Sequence, residues 1–215
     1  ALATEDGVVG AVQEERLTRV KGDPRFPSAA INQLLDSHTC HTEDIDAVAF
    51  YEKPGLKLQR IMRTQVAEAP HGWKQFFEVA KNLDLSQFRL KRHLEPLGLG
   101  DKRVLRFAHH ESHAASAYYC SPFESAAVLT IDGVGEWSTS TISVGNGSNL
   151  SPVVEMRFPN SVGLLYATFT AYCGFKVNSG EYKLMGLAPF GQPIYVKSLL
   201  DEVVDIFPDG SIALN

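Results

Sequence analysis

The chain has 215 residues, 44% of them hydrophobic and 21% charged, with a formal net charge of −5 at pH 7. This composition excludes a disordered or collagen-like chain, a large basic nucleic-acid interface and an apolar run of the roughly 20 residues that span a bilayer. The three cysteines are odd in number and far apart, which excludes a disulfide framework and predicts a protein of a reducing, cytoplasmic compartment.

The first half of the sequence predicts short strands alternating with helices. Asp6-Gly7 is a hairpin signal near the start, and Ser28 is the expected N-cap of the first amphipathic helix. Residues 46–51 and 104–107 are predicted strands. The pattern of residues 55–97 is helical but irregular, and its aromatic residues Trp73, Phe76 and Phe77 are expected in the core.

The second half predicts a hairpin followed by helices. Residues 126–145 have the pattern of a continuous buried strand, a glycine-rich turn and an alternating strand, and residues 153–158 form a further predicted strand. An apolar helix capped by its last glycine is expected at 163–174, a glycine-rich loop at 179–191 and a final helix at 194–207. The aromatic residues Trp137, Phe169 and Phe175 are assigned to the core.

Hairpins followed by helices in each half predict an α/β protein of two lobes that meet at a cleft. We place the first lobe at residues 1–121 and the beginning of the second lobe at residues 122–215.

Three of the seven histidines lie within 109-HHESH-113. On a helix, residues four apart share a face, so His109 and His113 have the spacing to hold one cation. The pair His110 and His113 is an alternative, and an ordinary hydrogen-bonding cluster at a helix start is another. The zinc-protease pattern H-E-x-x-H is not met in either register.

Asp132 is the candidate third ligand, because it follows the strand 128–131 at the edge where α/β proteins bind ligands. Two histidines and one carboxylate leave coordination positions open and suit a first-row divalent metal such as Fe(II). The following turn, 132-DGVGEW-137, lets the backbone approach a phosphate closely, as in actin-like ATPases. A plain hairpin turn is the alternative. No G-x-G-x-x-G or Walker pattern is present at this turn.

Longer segments carry a family resemblance. HHESHAASAYY, SPFESAAVLTIDGVGEW and NSVGLLYATFTAYCGFKVNSGEYKLMGLAPFG, together with EERLTRVKGDPRFPSAAI and FYEKPGLKLQRIM, resemble the carbamoyltransferase family. That family includes nodulation-factor carbamoyltransferases and the antibiotic O-carbamoyltransferases of the tobramycin and cephamycin pathways. The resemblance covers essentially the whole chain.

The resemblance implies a fold and an activity. The family's amino-terminal part is similar to the threonylcarbamoyl-transferring tRNA-modification proteins, with a two-lobed actin/sugar-kinase-like ATPase fold. A carboxy-terminal domain makes carbamoyl-adenylate from carbamoyl phosphate and ATP. The amino-terminal part then passes the carbamoyl group to a hydroxyl of a sugar, an antibiotic or a nodulation-factor-type small molecule. The resemblance places the family's metal ligands at His109, His113 and Asp132. The metal is Fe2+ in the better-described members.

The resemblance also assigns further binding residues. Contacts with the nucleotide or carbamoyl-adenylate are expected at Gly133, Gly135, Glu136, Ser161, Gly163, Tyr166, Lys183 and Gly186. For Lys183 a solvated surface charge is an equal alternative. Contacts with the intermediate are expected at Arg16, Arg19 and Lys21, for which a solvated charged turn is the alternative.

Departures from the family pattern lead us to expect an incomplete amino-terminal portion. The family's first strand and its catalytic histidine base are expected before Ala1, so no catalytic residue is assigned within the chain. A fourth metal ligand and the adenylate-forming domain also have no counterpart in these 215 residues. We therefore expect no turnover and weak metal binding from these residues alone.

Two other functions are the alternatives. One is an ATP-dependent sugar-kinase-like phosphotransferase, and the other is a non-catalytic nucleotide- or metal-binding module. No nucleic acid and no membrane is expected as a partner.

Overall fold

The structure, a computed structural model, describes residues 1–67, 69 and 86–215. The predicted core residues Trp73, Phe76 and Phe77 lie outside the described residues. Among the helices that are described, none combines the length and the apolar character needed to span a membrane.

The described residues form two compact units. The first contains residues 1–50 and 86–105, and the second contains residues 51–67 and 106–215. Each unit combines helices with small sheets. The predicted α/β class is therefore confirmed.

The first unit contains two small sheets and three α-helices among its described residues. Its elements are β1 (Leu2–Thr4), β2 (Gly7–Gly10), α1 (Glu14–Thr18), α2 (Ser28–Ser37), β3 (Ala47–Phe50), α4 (Leu90–Leu94) and β4 (Arg103–Arg106). Strands β1 and β2 form the predicted antiparallel hairpin, with a register shift after Leu2, but its turn residues are Glu5 and Asp6 and Gly7 already pairs with Thr4. Strand β3 pairs with β4. The core is built around Leu90, Leu94 and Leu99, each at most 4% exposed.

The start of α2 differs from the prediction. Ser28 is the first helical residue and not the N-cap, and no side chain of the preceding residue caps the helix. Instead the carboxylate of Glu14 in α1 accepts the N–H of Ala29 at 3.2 Å and that of Ala30 at 2.8 Å. The backbone donors that a helix start leaves free are thus satisfied by a residue remote in sequence, which a local capping pattern does not reveal.

The second unit is built on a three-stranded antiparallel sheet in the order β5-β6-β7. Its elements are α3 (Pro54–Ala67), α5 (His109–Tyr118), β5 (Ser125–Ile131), β6 (Ser138–Asn146), β7 (Asn149–Arg157), α6 (Val162–Tyr172), α7 (Glu181–Leu187), α8 (Val196–Glu202), β8 (Val204–Ile206) and β9 (Ile212–Leu214). Helix α6 ends at Tyr172 with Cys173 as its C-cap, and Gly174, predicted as the cap, follows at φ +80°. The N–H groups of Gly174 and Phe175 close the last turn.

The apolar run predicted that strand β5 is buried on both faces, but only one face is buried. Val128 and Thr130 are 7% exposed, whereas Leu129 and Ile131 are 64% and 57% exposed. Helix α5 covers the first face, where Ala114 and Tyr118 pack against Val128. Apolar character alone therefore did not distinguish a strand covered on two faces from one covered on a single face.

Residues 179–191, predicted as a loop, contain helix α7 and a short 3₁₀ turn at Ala188–Phe190. The carboxylate of Glu181 accepts the N–H of Asn178 at 2.6 Å and of Gly180 at 3.1 Å, which stabilises the helix start. The sequence E-Y-K-L-M is compatible with a helix. Lys183 and Gly186 consequently lie on a helix and not in a loop.

The predicted helix 194–207 is also wrong in its second half. Helix α8 ends at Glu202, and β8 turns back to pair with β9 in an antiparallel hairpin. The turn carries Pro208-Asp209-Gly210, with Gly210 at φ +83°. This Pro-Asp-Gly sequence is a strong turn signal that the pattern of apolar residues concealed.

The compact units do not divide at residue 121. Residues 51–67 and 106–121 belong with the β5–β7 sheet, because α5 packs on that sheet. The assignment of residues 1–121 and 122–215 to two lobes of a larger fold stays a prediction.

Gly145 in β6 provides a test of this packing. A Cβ atom at this position would lie 2.5 Å from Cζ of Tyr118. The tyrosine is 3% exposed, and its hydroxyl donates to the carbonyl oxygens of Glu124 at 2.6 Å and Gly147 at 3.0 Å, so the ring cannot move aside. We expect Gly145→Ala to lower the free energy of unfolding by about 1–3 kcal/mol, measured by urea denaturation.

Gly186→Ala is the matched control. Nothing lies within 4 Å of a Cβ added at Gly186 in α7, so this substitution should raise the free energy of unfolding by about 0.5–1 kcal/mol. Equal destabilisation by both substitutions would contradict the packing described for Tyr118.

Candidate metal centre

Helix α5 and the end of strand β5 bring three polar side chains together. Nε2 of His109 lies 2.8 Å from Oδ2 of Asp132 and 3.0 Å from Nε2 of His113. Nε2 of His113 lies 3.7 Å from the same carboxylate oxygen. These three residues form a group whose ligand atoms all lie within 4.8 Å of one another. We call this group the ligand triad.

Local structure explains why these atoms converge. His109 and His113 are the first and fifth residues of α5, so their rings lie one above the other on one face. Asp132 directly follows β5, and its N–H still donates to the carbonyl oxygen of Thr139 at 2.9 Å. The carboxylate is therefore held at the end of the hairpin, beside the first turn of the helix.

The triad fits the metal that the resemblance implies. Metal–ligand bonds of about 2.1 Å separate neighbouring ligand atoms by about 3.0–3.4 Å, close to the spacings among His109, His113 and Asp132. A 2-His-1-carboxylate set is typical of Fe(II) with open coordination positions. The side chain of His113 is 52% exposed and that of His109 is 20% exposed, so the triad is open to solvent on the His113 side.

Asp132 is ionised at neutral pH. Burial opposes its ionisation, but the N–H of Gly133, which donates to Oδ1 at 2.7 Å, and the neighbouring rings of His109 and His113 together hold its pKa below the ordinary value. One carboxylate oxygen is thus occupied by the backbone, and the other faces the two imidazoles. The negatively charged Oδ2 of Asp132 is therefore directed at the imidazoles of His109 and His113.

His110 has a different environment from its neighbours. It is 3% exposed, and its Nδ1 lies 2.8 Å from the hydroxyl of Thr130, which lies 2.6 Å from the hydroxyl of Thr141. Its ring centroid lies 6.2 Å from that of His113, compared with 4.6 Å for His109 and His113. The structure therefore brings His109 and His113 together, whereas His110 belongs to the hydrogen-bonded interior between α5 and the sheet.

Gly135 of the DGVGEW turn and Gly163 at the start of α6 serve close packing in the structure. A Cβ at Gly135 would lie 2.9 Å from Cβ of His109, so this glycine lets the turn lie against the first turn of α5. A Cβ at Gly163 would lie 2.6 Å from the carbonyl carbon of Asp132, so α6 begins directly on the ligand-bearing turn. Gly133 lies beside Leu164 without a clash.

Ser161 holds the same turn. It is fully buried, and its hydroxyl donates to the carbonyl oxygen of Gly133 at 2.7 Å while accepting the N–H of Leu164 at 3.0 Å. Ser161 is thus the N-cap of α6. Sequence reasoning selected Ser161 for a ligand contact and missed this structural role, although a serine before an apolar helix is a recognised capping signal.

Glu136, predicted to line the nucleotide, is 4% exposed. Its carboxylate accepts the backbone N–H groups of His109 and Lys53. No feature of the local sequence pointed to these partners, because Lys53 lies 83 positions away.

The remaining predicted site residues lie elsewhere in the two units. Tyr166 in α6 donates its hydroxyl to the carbonyl oxygen of Glu181 at 3.4 Å, and Nζ of Lys183 lies 6.0 Å from the ring centroid of Tyr182. Gly186 has open space beside it. Arg16, Arg19 and Lys21 belong to the first unit. Ligand contacts for all six residues stay predictions.

Comparison with known proteins decides the family. Residues 1–215 match the family model described as carbamoyltransferase N-terminus. The chain belongs to this family. As a carbamoyltransferase amino-terminal region, it is 46% identical to the uncharacterized protein sll1178 of Synechocystis sp., over 100% of the chain and 36% of that protein.

Two relatives are named for nodulation. The chain is 31% identical to nodulation protein NolNO of Sinorhizobium fredii, over 98% of the chain and 30% of that protein. It is 37% identical to nodulation protein NolO of Bradyrhizobium diazoefficiens, over 47% of the chain and 18% of that protein. The chain thus spans about a third of the length of the relatives that match it throughout.

The environment of His110 predicts a pH dependence. Burial is the main cause that lowers its pKa, Asp132 opposes the shift, and His109 and His113 add to it. The stability that neutral His110 contributes is present above its unfolded pKa of about 6.5 and is lost as pH falls through its lowered folded pKa. We expect the free energy of unfolding, measured in urea with a chelator present, to fall below about pH 6.5.

His110→Asn isolates this contribution. The amide replaces Nδ1 beside Thr130 but does not titrate, so its stability should fall less steeply between pH 7 and pH 5. Parallel curves for His110→Asn and the unaltered chain would show that His110 does not titrate on unfolding.

Proposed function

We propose that the chain is the amino-terminal region of an O-carbamoyltransferase that binds carbamoyl-adenylate at the ligand triad. The carbamoyl group would come from carbamoyl phosphate with ATP and pass to a hydroxyl of a small molecule. The family match over residues 1–215 supports the reaction class. The observation that carries the site is the convergence of His109, His113 and Asp132 at ligand spacing.

The residues of the triad would hold a divalent metal, for which we propose Fe2+. When bound, such a metal supplies a Lewis acid for phosphate or carbonyl oxygens. Asp132 contributes its charged Oδ2, while its Oδ1 stays on the N–H of Gly133. His109 and His113 present Nε2 from adjacent turns of one helix, so the chain holds its donors in place before a ligand arrives.

The start of α6 supports a phosphate subsite beside the triad. Gly163 packs on the backbone of Asp132, and Ser161 donates to Gly133 in the same turn. The first N–H groups of a helix lack intrahelical acceptors and favour anions. The backbone at the start of α6 would therefore bind the phosphate of the adenylate next to the cation and orient its carbamoyl group toward an acceptor hydroxyl.

We also propose that the two units belong to an actin/sugar-kinase-like fold and that the acceptor is a sugar, antibiotic or nodulation-factor-type molecule. The antiparallel β5-β6 hairpin with the D-G-x-G turn between its strands is compatible with that fold. The nodulation proteins among the relatives support the acceptor class. In such a fold, a sugar-kinase-like phosphotransferase is the competing enzyme class.

Assay of the complete gene product that carries these residues tests the proposal. With carbamoyl phosphate, ATP, Fe2+ and a panel of hydroxyl acceptors, we expect carbamoyl-AMP and a carbamoylated product. A phosphorylated acceptor would indicate a kinase, and the absence of any product together with retained nucleotide binding would indicate a binding module.

Substitution of a triad residue tests the site itself. We expect His113→Ala to lower bound metal and carbamoyl transfer by more than the roughly 10–100-fold typical of outer-shell substitutions, because a direct ligand is removed. Metal content is measured by elemental analysis and transfer by product formation. His41→Ala, an exposed histidine of the first unit, is the control and should change neither. Full activity and full metal content in His113→Ala would show that the triad is a hydrogen-bonded cluster and not a metal site.

A further inference from the structure

Glu136 shares a turn with Asp132 but has a different environment. It is 4% exposed, and its Oε1 accepts the N–H of Lys53 at 2.7 Å. The N–H of His109 donates to both oxygens, at 3.0 Å from Oε2 and 3.2 Å from Oε1. Both carboxylate oxygens are therefore engaged by backbone donors, unlike Asp132, whose Oδ2 lies beside the imidazoles of His109 and His113.

The hydrogen bond between the N–H of His109 and the carboxylate of Glu136 lies at the start of helix α5. His109 is the first residue of α5, and an N–H at that position has no intrahelical acceptor. The N–H of Ala108 donates to Glu111 of the same helix at 3.2 Å, whereas the N–H of His109 reaches Glu136 in the hairpin turn. A carboxylate here also opposes the positive end of the helix dipole.

Two further contacts connect Glu136 and its turn to the neighbouring helices. Nε of Arg60 in α3 donates to the carbonyl oxygen of Glu136 at 2.5 Å, and Lys53 immediately precedes α3. Gly135, the preceding residue, packs against Cβ of His109. The backbone and side chain of Glu136 thus join α3 and the first turn of α5 to the turn that carries Asp132.

We propose that Glu136 is a positioning residue of the metal centre, which holds His109 at ligand distance from Asp132. The inference rests on the proposed metal site. His109 and Asp132 come from separate elements, so their 2.8 Å separation depends on how the helix start is fixed to the hairpin. Glu136 makes that connection through the backbone of the ligand residue itself. Residues that orient metal ligands commonly change metal affinity by roughly 10–100-fold.

The experiment uses Glu136→Gln in the complete gene product, with Co(II) as the spectroscopic probe. A carboxamide keeps the shape but turns a donor toward the N–H of His109, so the helix start loses an acceptor. We expect the dissociation constant for Co(II) to rise at least tenfold and the visible spectrum of the saturated variant to change. Activity measured against metal concentration should require correspondingly more metal.

Glu155→Gln is the matched control. Glu155 is in β7 of the same unit, where it bonds the side chains of Ser138 and Arg157, and it touches no triad residue in the hydrogen bonds described. This variant should bind Co(II) with unchanged affinity and spectrum. A purely structural effect of Glu136→Gln would lower the unfolding midpoint but leave both the affinity and the spectrum of the folded protein unchanged, and this result would overturn the inference.

The outcomes separate this inference from the proposed function. Absence of Co(II) binding in the unaltered protein would refute the metal site itself, and the positioning role with it. Binding in the unaltered protein with equal affinity in Glu136→Gln would refute the positioning role alone. If Glu136→Gln does not fold, the positioning role is tested by hydrogen exchange of the backbone N–H of His109 in the unaltered, metal-free protein. Slow exchange is expected, and exchange at the rate of an unprotected amide would overturn the inference.

Discussion

The packing of α5 on the β5-β6 hairpin is the interaction on which the candidate site depends. Ala114 is fully buried and Tyr118 nearly so against Val128, and a glycine at position 145 makes room for the tyrosine ring. Because this face holds the helix on the sheet, the histidines at its start lie beside the carboxylate at the strand end. The triad histidines are thus placed by apolar packing about one to three turns further along the helix.

Polar contacts then fix the helix start where the apolar face ends. His110 reaches Thr130 inside the sheet, Ser161 holds the backbone of the turn, and Glu136 takes the N–H of His109. Two carboxylates four residues apart have opposite roles because their surroundings differ. Asp132 is partly exposed beside two imidazoles, whereas Glu136 is buried among backbone donors. The environment, more than the residue type, determines which carboxylate faces the two imidazoles.

Sequence reasoning succeeded where the deciding forces are local. The first hairpin, the helix from His109 and a glycine in the left-handed conformation after α6 follow from turn chemistry and helical spacing, and all are present within one residue of the predicted positions. It failed where a distant element decides. The carboxylate of Glu14 satisfies the start of α2, and pairing with β9 draws residues 204–206 out of the predicted helix. Residues 181–187 were predicted as a loop because glycines lie in and around this segment, although its other residues favour the helix that forms.

The sequence by itself determined the family, the α/β class and which side chains have ligand chemistry, because long motifs, local propensity and the four-residue spacing of His109 and His113 are readable along the chain. The tertiary structure decided what each polar residue near that pair does. Glu136, Ser161 and His110 have the residue types of a ligand site, yet their partners lie at Lys53, Gly133 and Thr130. A hydrogen bond forms between groups that folding brings within about 3 Å, and the linear order of residues does not contain that distance.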